Sequence, residues 1–214
     1  MKTTSCRSLL LAALAGALLA TVSASAQLVG ISNFAEPYFV SDGLTATHWE
    51  DQAFITGSDW TTSLFSIAIR DSAVSSPAYI AQLFLGTPDS GTLVTNLALA
   101  SDVGGVATFL PSTTVTLNAN TTYWFSLGLT SGTVSWDAAN TYNVTGSGTF
   151  PAEPDTVWGY SDNAGTTWTQ VSHSGSLPQY IEVKTALIPE PASYSLALGA
   201  LALGLYLYRR SQTA

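Results

Sequence analysis

Cysteine is nearly absent from this chain: its 214 residues contain one, Cys6, and that one precedes the first apolar run. Residues 27–187 therefore carry no thiol, which excludes disulfides, thiolate metal sites and a cysteine nucleophile there. Bases are almost as scarce. Of six Lys and Arg, Lys2 and Arg7 open the chain and Arg209 and Arg210 nearly close it, leaving only Arg70 and Lys184 between. Thirteen of the 14 acids, all but Glu190, fall within residues 27–187, so the body carries about −11 against −8 for the whole chain. Such a surface repels phosphate backbones and excludes nucleic acid as a partner.

Motifs that carry chemistry are also missing. The two histidines, His48 and His173, stand in polar loop contexts with no ligand at metal-site spacing, so both read as surface histidines, and neither a metal nor a cofactor is expected. There is no Gly-x-Ser-x-Gly elbow, no phosphate-binding glycine loop and no Asp-x-Asn-x-Asn-Gly calcium loop. Asp162-Asn163 with Gly165 reads as a turn. Glu50 with Asp51, and Glu153 with Asp155, are the close carboxylate pairs. A glycosidase needs two carboxyls converging at about 5–9 Å from different parts of a fold, which spacing in sequence does not supply. No catalytic residue is assigned, and the protein is expected not to be an enzyme. Asn120-Thr121-Thr122 and Asn143-Val144-Thr145 match the glycosylation sequon and mark surface loops.

The two ends are unlike the middle. Residues 1–26 have a basic start at Lys2 and Arg7, an apolar run over 9–20 and the small-residue stretch Ala24-Ser25-Ala26, the pattern of a secretory signal peptide helix cleaved after Ala26 to leave Gln27 as the new N-terminus. The competing reading is an uncleaved anchor, but a run of about 12 residues falls short of the roughly 20 a spanning helix requires. Cys6 precedes the run and so is not placed for lipid attachment.

At the other end, Ile188-Pro189-Glu190-Pro191 is followed by an apolar run over 194–208 and then by Arg209-Arg210. The prolines keep their segment out of helix, and the two arginines hold the tail in the cytoplasm by the positive-inside rule. Residues 194–208 span only about 22 Å as a helix against a hydrocarbon core of roughly 30 Å, a marginal transmembrane helix. This order of parts resembles the PEP-CTERM sorting signal of Gram-negative bacteria, with small departures at Ile188, where Val is common, and at Ser195. The resemblance implies that residues 188–214 are a sorting segment. It also implies a transient partner, a sorting protease of the exosortase type cutting near Pro189-Glu190-Pro191. Export across the inner membrane, brief anchoring there, and release to the cell surface or medium would follow. An anchor that is retained is the alternative.

Between these ends, β-branched and aromatic segments alternate with turn residues, and no long 3.6-residue period occurs. The clearest predicted strands are 63–70, 79–86, 121–129 and 179–185. Weaker ones are 52–56, 92–99, 107–110, 113–117, 133–136, 157–160 and 168–171. In 63–70 the alternation assigns Phe65, Ile67 and Ile69 to the core and Arg70 to solvent. About ten short strands predict one all-β domain over 27–187, an antiparallel β-sandwich of jelly-roll kind.

Four stretches of the body resemble a family of exported β-sandwich domains known as choice-of-anchor R. They are Gln52-Ala53-Phe54-Ile55-Thr56-Gly57-Ser58, Leu117-Asn118-Ala119-Asn120-Thr121-Thr122-Tyr123-Trp124, Tyr160-Ser161-Asp162-Asn163-Ala164-Gly165-Thr166-Thr167-Trp168, and Gly175-Ser176-Leu177-Pro178-Gln179-Tyr180. That family implies no catalytic or ligand residue. All six tryptophans lie in the body; Trp49, Trp60, Trp136, Trp158 and Trp168 stand next to turns or acids, where an indole can stack on a sugar ring, whereas Trp124 sits inside an apolar strand and reads as core. Two functions compete: a non-catalytic surface or matrix protein associated with exopolysaccharide, and a carbohydrate-binding module using those five indoles.

Overall fold

The computed structural model describes residues 27–60, 62–152, 155–172 and 177–186. The expected signal peptide, with Ala24 and Ala26, and the expected sorting segment, with Pro189, Glu190, Pro191, helix 194–208, Arg209 and Arg210, lie outside the described residues, as do Glu153 and His173. Among the described residues no helix is long and apolar enough to cross a membrane.

The body is all-β. It opens with β1 (Gln27–Ser32), β2 (Tyr38–Leu44) and β3 (Trp49–Ile55), followed by the long β4 (Thr62–Leu85). Then come β5 (Thr92–Asp102), β6 (Val106–Pro111), the two-residue β7 (Thr116–Leu117) and a second long strand, β8 (Thr122–Ala139). The short β9 (Thr145–Gly146), β10 (Thr156–Ser161), β11 (Thr169–Ser172) and β12 (Ile181–Ala186) complete it. Every pairing is antiparallel, along the path β11-β10-β3-β8-β4-β12-β1-β9, with β2 on β8 and β5, β6 and β7 on β4.

Strands β4 and β8 organise the molecule because each changes neighbours along its length. The first part of β4 pairs with β6 and β12, and its last part pairs with β5 and with the first half of β8. The change occurs where the register between β4 and β8 slips repeatedly between Ala73 and Tyr79. Bulges of this sort bend a strand and re-aim its side chains, and they are where a proline such as Pro77 is tolerated. Opposite them, Gly132 has φ +82°, and a Cβ there would lie 2.6 Å from the Ser76 carbonyl oxygen. A strand passing from one set of partners to another through a bulge is consistent with the corner of a β-sandwich.

The core forms where these parts face each other. Phe109 of β6 packs against Phe125 of β8 at 5.8 Å between ring centroids, and Phe125 meets Trp136 edge-on at 5.7 Å. Ile67, Ile69, Leu83, Ile181 and Val183 are fully buried around them. In β12 the alternation is simple, with Ile181 and Val183 inward and Glu182 and Lys184 outward, paired at 3.0 Å.

Three expectations change. Two predicted strands, 63–70 and 79–86, are one strand of 24 residues, because the polar stretch between them bulges without leaving the sheet. Phe65 is exposed while Leu64 is buried. Thr185 pairs with Leu64 and Lys184 with Ser66, so Phe65 is the extra residue of a bulge and the alternation reverses there. Arg70 does not stand free in solvent: its guanidinium lies 4.5 Å from the centre of the buried Tyr180 ring, a cation–π contact. Strands β1, β2 and β9 add to the expected set.

Candidate functional site

Strand β3 buries three polar residues in succession, Glu50, Asp51 and Gln52, all without exposure. Side chains alternate along a strand, so Glu50 and Gln52 share one face and Asp51 points to the other. On the first face, Gln52 holds the strand to its surroundings. Its amide donates to the Val157 carbonyl at 2.9 Å, and its oxygen accepts the Gln179 N–H at 2.8 Å. The Gln179 side chain in turn donates to Glu50 Oε2 at 3.1 Å.

The turn between β2 and β3 brings His48 to the same place. Thr45 shapes that turn, its hydroxyl accepting the His48 N–H at 3.0 Å while its own N–H donates to the His48 carbonyl at 3.0 Å. The loop after β10 supplies Asp162, whose Oδ1 lies 2.6 Å from His48 Nδ1. The second imidazole nitrogen, Nε2, faces Glu50 Oε1 at 3.8 Å. A carboxylate oxygen of Asp42, on β2, completes a group with His48 and Glu50 in which the ligand-type atoms lie within 4.8 Å of one another.

Burial sets the electrostatics here. The Glu50 carboxyl is pushed well above the usual carboxylate range, first by desolvation and further by the charge of Asp42, with His48 opposing. His48 is raised above the ordinary imidazole value chiefly by the adjacent Glu50 carboxyl, against desolvation and with help from Asp162. On the opposite face, burial pushes Asp51 up to about 8 despite hydrogen bonds from the Gln170 amide and the Gly159 N–H. Glu50 and Asp51, adjacent in sequence, therefore do not converge on one point.

Beside the cluster lies an open hollow of about 570 Å³, lined by Phe39, Val40, Asp42, Trp158, Leu177 and Gln179 among others. Asp42 and Gln179 belong to both features. Phe39 and Val40 are exposed on β2, which among the described residues pairs with β8 alone.

The tryptophans divide differently from the expectation. Trp49, Trp60 and Trp136 are buried and unavailable for stacking on a ligand. Trp49 lies against the bare backbone of Gly128, where a Cβ would come within 2.0 Å of its ring. The Trp60 indole donates to Ser147 Oγ at 2.8 Å, and that of Trp136 donates to the Tyr180 carbonyl at 2.9 Å. Flanking acids and turns suggested exposure for these three; cross-strand neighbours far away in sequence cover them instead. Trp158 and Trp168 are half-buried; Trp158 lines the hollow with Tyr160 beside it at 6.0 Å, and Trp168 donates to the Gly165 carbonyl at 3.2 Å. Trp124 is buried, as read from its strand.

His48 is likewise not an isolated surface histidine: it is half-buried and held between two carboxylates. Asp162-Asn163-Ala164-Gly165 is a turn, with Ala164 and Gly165 at positive φ, and it aims Asp162 at His48. The members of the cluster come from positions 42, 48, 50, 162 and 179, so spacing did not reveal them. The available signal was Glu50-Asp51-Gln52 wedged between Trp49 and Ala53-Phe54, a polar run inside a buried strand.

No family model matches this chain, and no curated protein matches it. Among solved structures it is similar to the cysteine protease and lectin-like domains of Cwp84, a surface layer associated protein of Clostridium difficile, with a TM-score of 0.42 and 10% identity. The match covers 69% of this chain and 36% of that one, so the chain spans about a third of that protein, and a likeness of this degree carries no functional argument.

Proposed function

We propose that the protein is an exported, non-catalytic β-sandwich protein of the cell surface or extracellular matrix, sorted through a PEP-CTERM-type segment at residues 188–214. The observation that carries this reading is that the first and last strands of the described body pair with each other. Gln27, the expected first residue after signal cleavage, is the first residue of β1 and pairs with Ala186, the last residue of β12. Gln27–Ala186 forms a compact unit whose first and last strands are hydrogen-bonded neighbours. Gln27 and Ala186 are held side by side on adjacent strands, which suits a cargo trimmed at both ends.

Intact mass of the protein from cells with and without an active sorting protease of the exosortase type tests this. Loss of the peptide containing Arg209 and Arg210 in the first case alone supports the proposal. Persistence of that peptide in both overturns it.

A second reading, carbohydrate binding, keeps support from the hollow, where the half-exposed Trp158 sits with Phe39 beside polar Asp42 and Gln179. A neutral-glycan array probed with the wild type and with Trp158→Ala separates the two. Binding lost in the variant favours the module, and no binding by the wild type removes it.

A further inference from the structure

We infer that Asp42, His48 and Glu50 form a binding site for one divalent transition cation of the Zn²⁺ class, with Asp162 as the positioning residue of its histidine. The argument starts from two buried atoms that lack hydrogen-bond partners. Glu50 is fully buried, and its Oε1 accepts no hydrogen bond although Oε2 is engaged by Gln179. His48 Nε2 is buried and likewise makes no hydrogen bond. These two atoms face each other at 3.8 Å, beyond hydrogen-bond reach.

The separation suits a shared ion. With metal–ligand distances of about 2.1 Å, two ligands of a tetrahedral site lie roughly 3.4 Å apart, so a contraction of a few tenths of an ångström suffices. Asp42 offers a third oxygen within the same 4.8 Å group, from an exposed position on β2 that leaves the site open to solvent for entry and for a water as fourth ligand.

The surroundings have the form of an outer ligand shell. Asp162 engages His48 Nδ1 at 2.6 Å, so Nε2 is the nitrogen left facing Glu50 and available to a metal. Gln179 orients Glu50 in the same manner. An imidazole nitrogen facing a carboxylate oxygen in a buried setting calls for a cation between them, a proton in the metal-free site and the metal that displaces it in the loaded one. Imidazole with two carboxylates is a nitrogen–oxygen set that favours Zn²⁺ and its neighbours over Ca²⁺ or Mg²⁺, which take all-oxygen ligands. Bound there, the ion would tie β2, the β2–β3 turn and β3 together, beside the Ala164 N–H bond to the Thr47 carbonyl that already joins the turn to the loop after β10. The site is independent of the export and sorting reading.

The test is calorimetric titration of the tag-free full chain, stripped with chelator, using ZnCl₂ alone and then CaCl₂ and MgCl₂. One Zn²⁺ per chain is expected, with Ca²⁺ and Mg²⁺ at least tenfold weaker. Asp42→Asn, at an exposed position that should not disturb folding, is expected to weaken Zn²⁺ binding at least tenfold. Loss of the outer-shell partner in Asp162→Asn lowers affinity by roughly 10- to 100-fold and shifts the visible bands of Co²⁺ bound in the same place, which a merely structural role would not move. Asp89→Asn, in the distant turn after β4, leaves binding unchanged. Absence of stoichiometric Zn²⁺ binding means that Nε2 carries a proton and pairs with Glu50, and overturns the proposal. Unaltered affinity in Asp42→Asn, or Ca²⁺ binding as tight as Zn²⁺, overturns it as well.

Discussion

Trp136 separates a core role from a ligand-stacking role most sharply. Its side chain has no exposure, meets Phe125 edge-on, and donates its indole N–H to the Tyr180 carbonyl at 2.9 Å. Truncation in Trp136→Ala removes a buried aromatic, a loss of about 3–5 kcal/mol with its cavity. It also orphans a buried carbonyl, a further penalty of about 1–3 kcal/mol. The sum approaches the whole stability of an ordinary domain, about 5–15 kcal/mol. Trp136→Phe keeps most of the apolar bulk and loses the donor, so about 1–3 kcal/mol is expected from the hydrogen bond alone. At about 2–4 °C per kcal/mol for a body of this length, that is a melting temperature lower by roughly 2–12 °C. Urea unfolding followed by tryptophan fluorescence, together with thermal melts by circular dichroism, measures both variants. If Trp136→Ala melts within a degree of wild type while losing affinity for a glycan, the residue is at a binding surface and the packing argument is wrong.

Other positions give sharper local tests. Gly128→Ala drives a methyl group into the Trp49 ring, where the Cβ would lie 2.0 Å away, and overpacking should cost about 1–3 kcal/mol; a double-mutant cycle with Trp49→Ala should show strong non-additivity, and simple additivity would refute the contact. Phe65→Ser, at the bulge and 37% exposed, should cost clearly less than Ile67→Ala, two residues on and fully buried, which should lose about 2–5 kcal/mol by urea unfolding. Equal losses would mean that the bulge is misplaced. Asp71 is buried and accepts the Tyr79 hydroxyl at 2.5 Å; burial raises its carboxyl above the usual range, with Asp102 and Asp137 adding and Tyr79 opposing. A carboxyl raised in the folded state contributes stability that is complete below its unfolded pKa and is lost as pH rises through the folded value. Asp71→Asn should therefore gain melting temperature relative to wild type more at pH 8 than at pH 4, and a pH-independent difference would contradict the assigned shift.

The all-β character of the body was legible because it follows from local chemistry. β-branched and aromatic residues in 63–70, 121–129 and 179–185, and turn residues between them, report on backbone geometry over a few residues, and β4, β8 and β12 take up most of those stretches. Bulges were not legible, because the pattern on either side of Phe65 looks continuous until a partner strand shows which residue has no opposite number. Burial of Trp49, Trp60 and Trp136 was missed for a related reason: a flanking acid or turn says nothing about what lies across the sheet.

The candidate site lies at the far end of this scale. In sequence Glu50 and Asp51 are a close carboxylate pair ahead of the predicted strand 52–56, and His48 is a surface histidine in a polar loop context. Their meaning depends on Gln179 and Asp162, which lie more than a hundred residues away in the chain and a few ångströms away in space. By itself the sequence determined the acidic, thiol-free body, its strand-forming segments and the contrast in composition between that body and the two ends, since these are properties of composition and short-range pattern. Tertiary structure alone decided which indoles are core, where Phe65 points, and that Asp42, His48 and Glu50 meet, because burial and side-chain convergence arise only when strands distant along the chain pair.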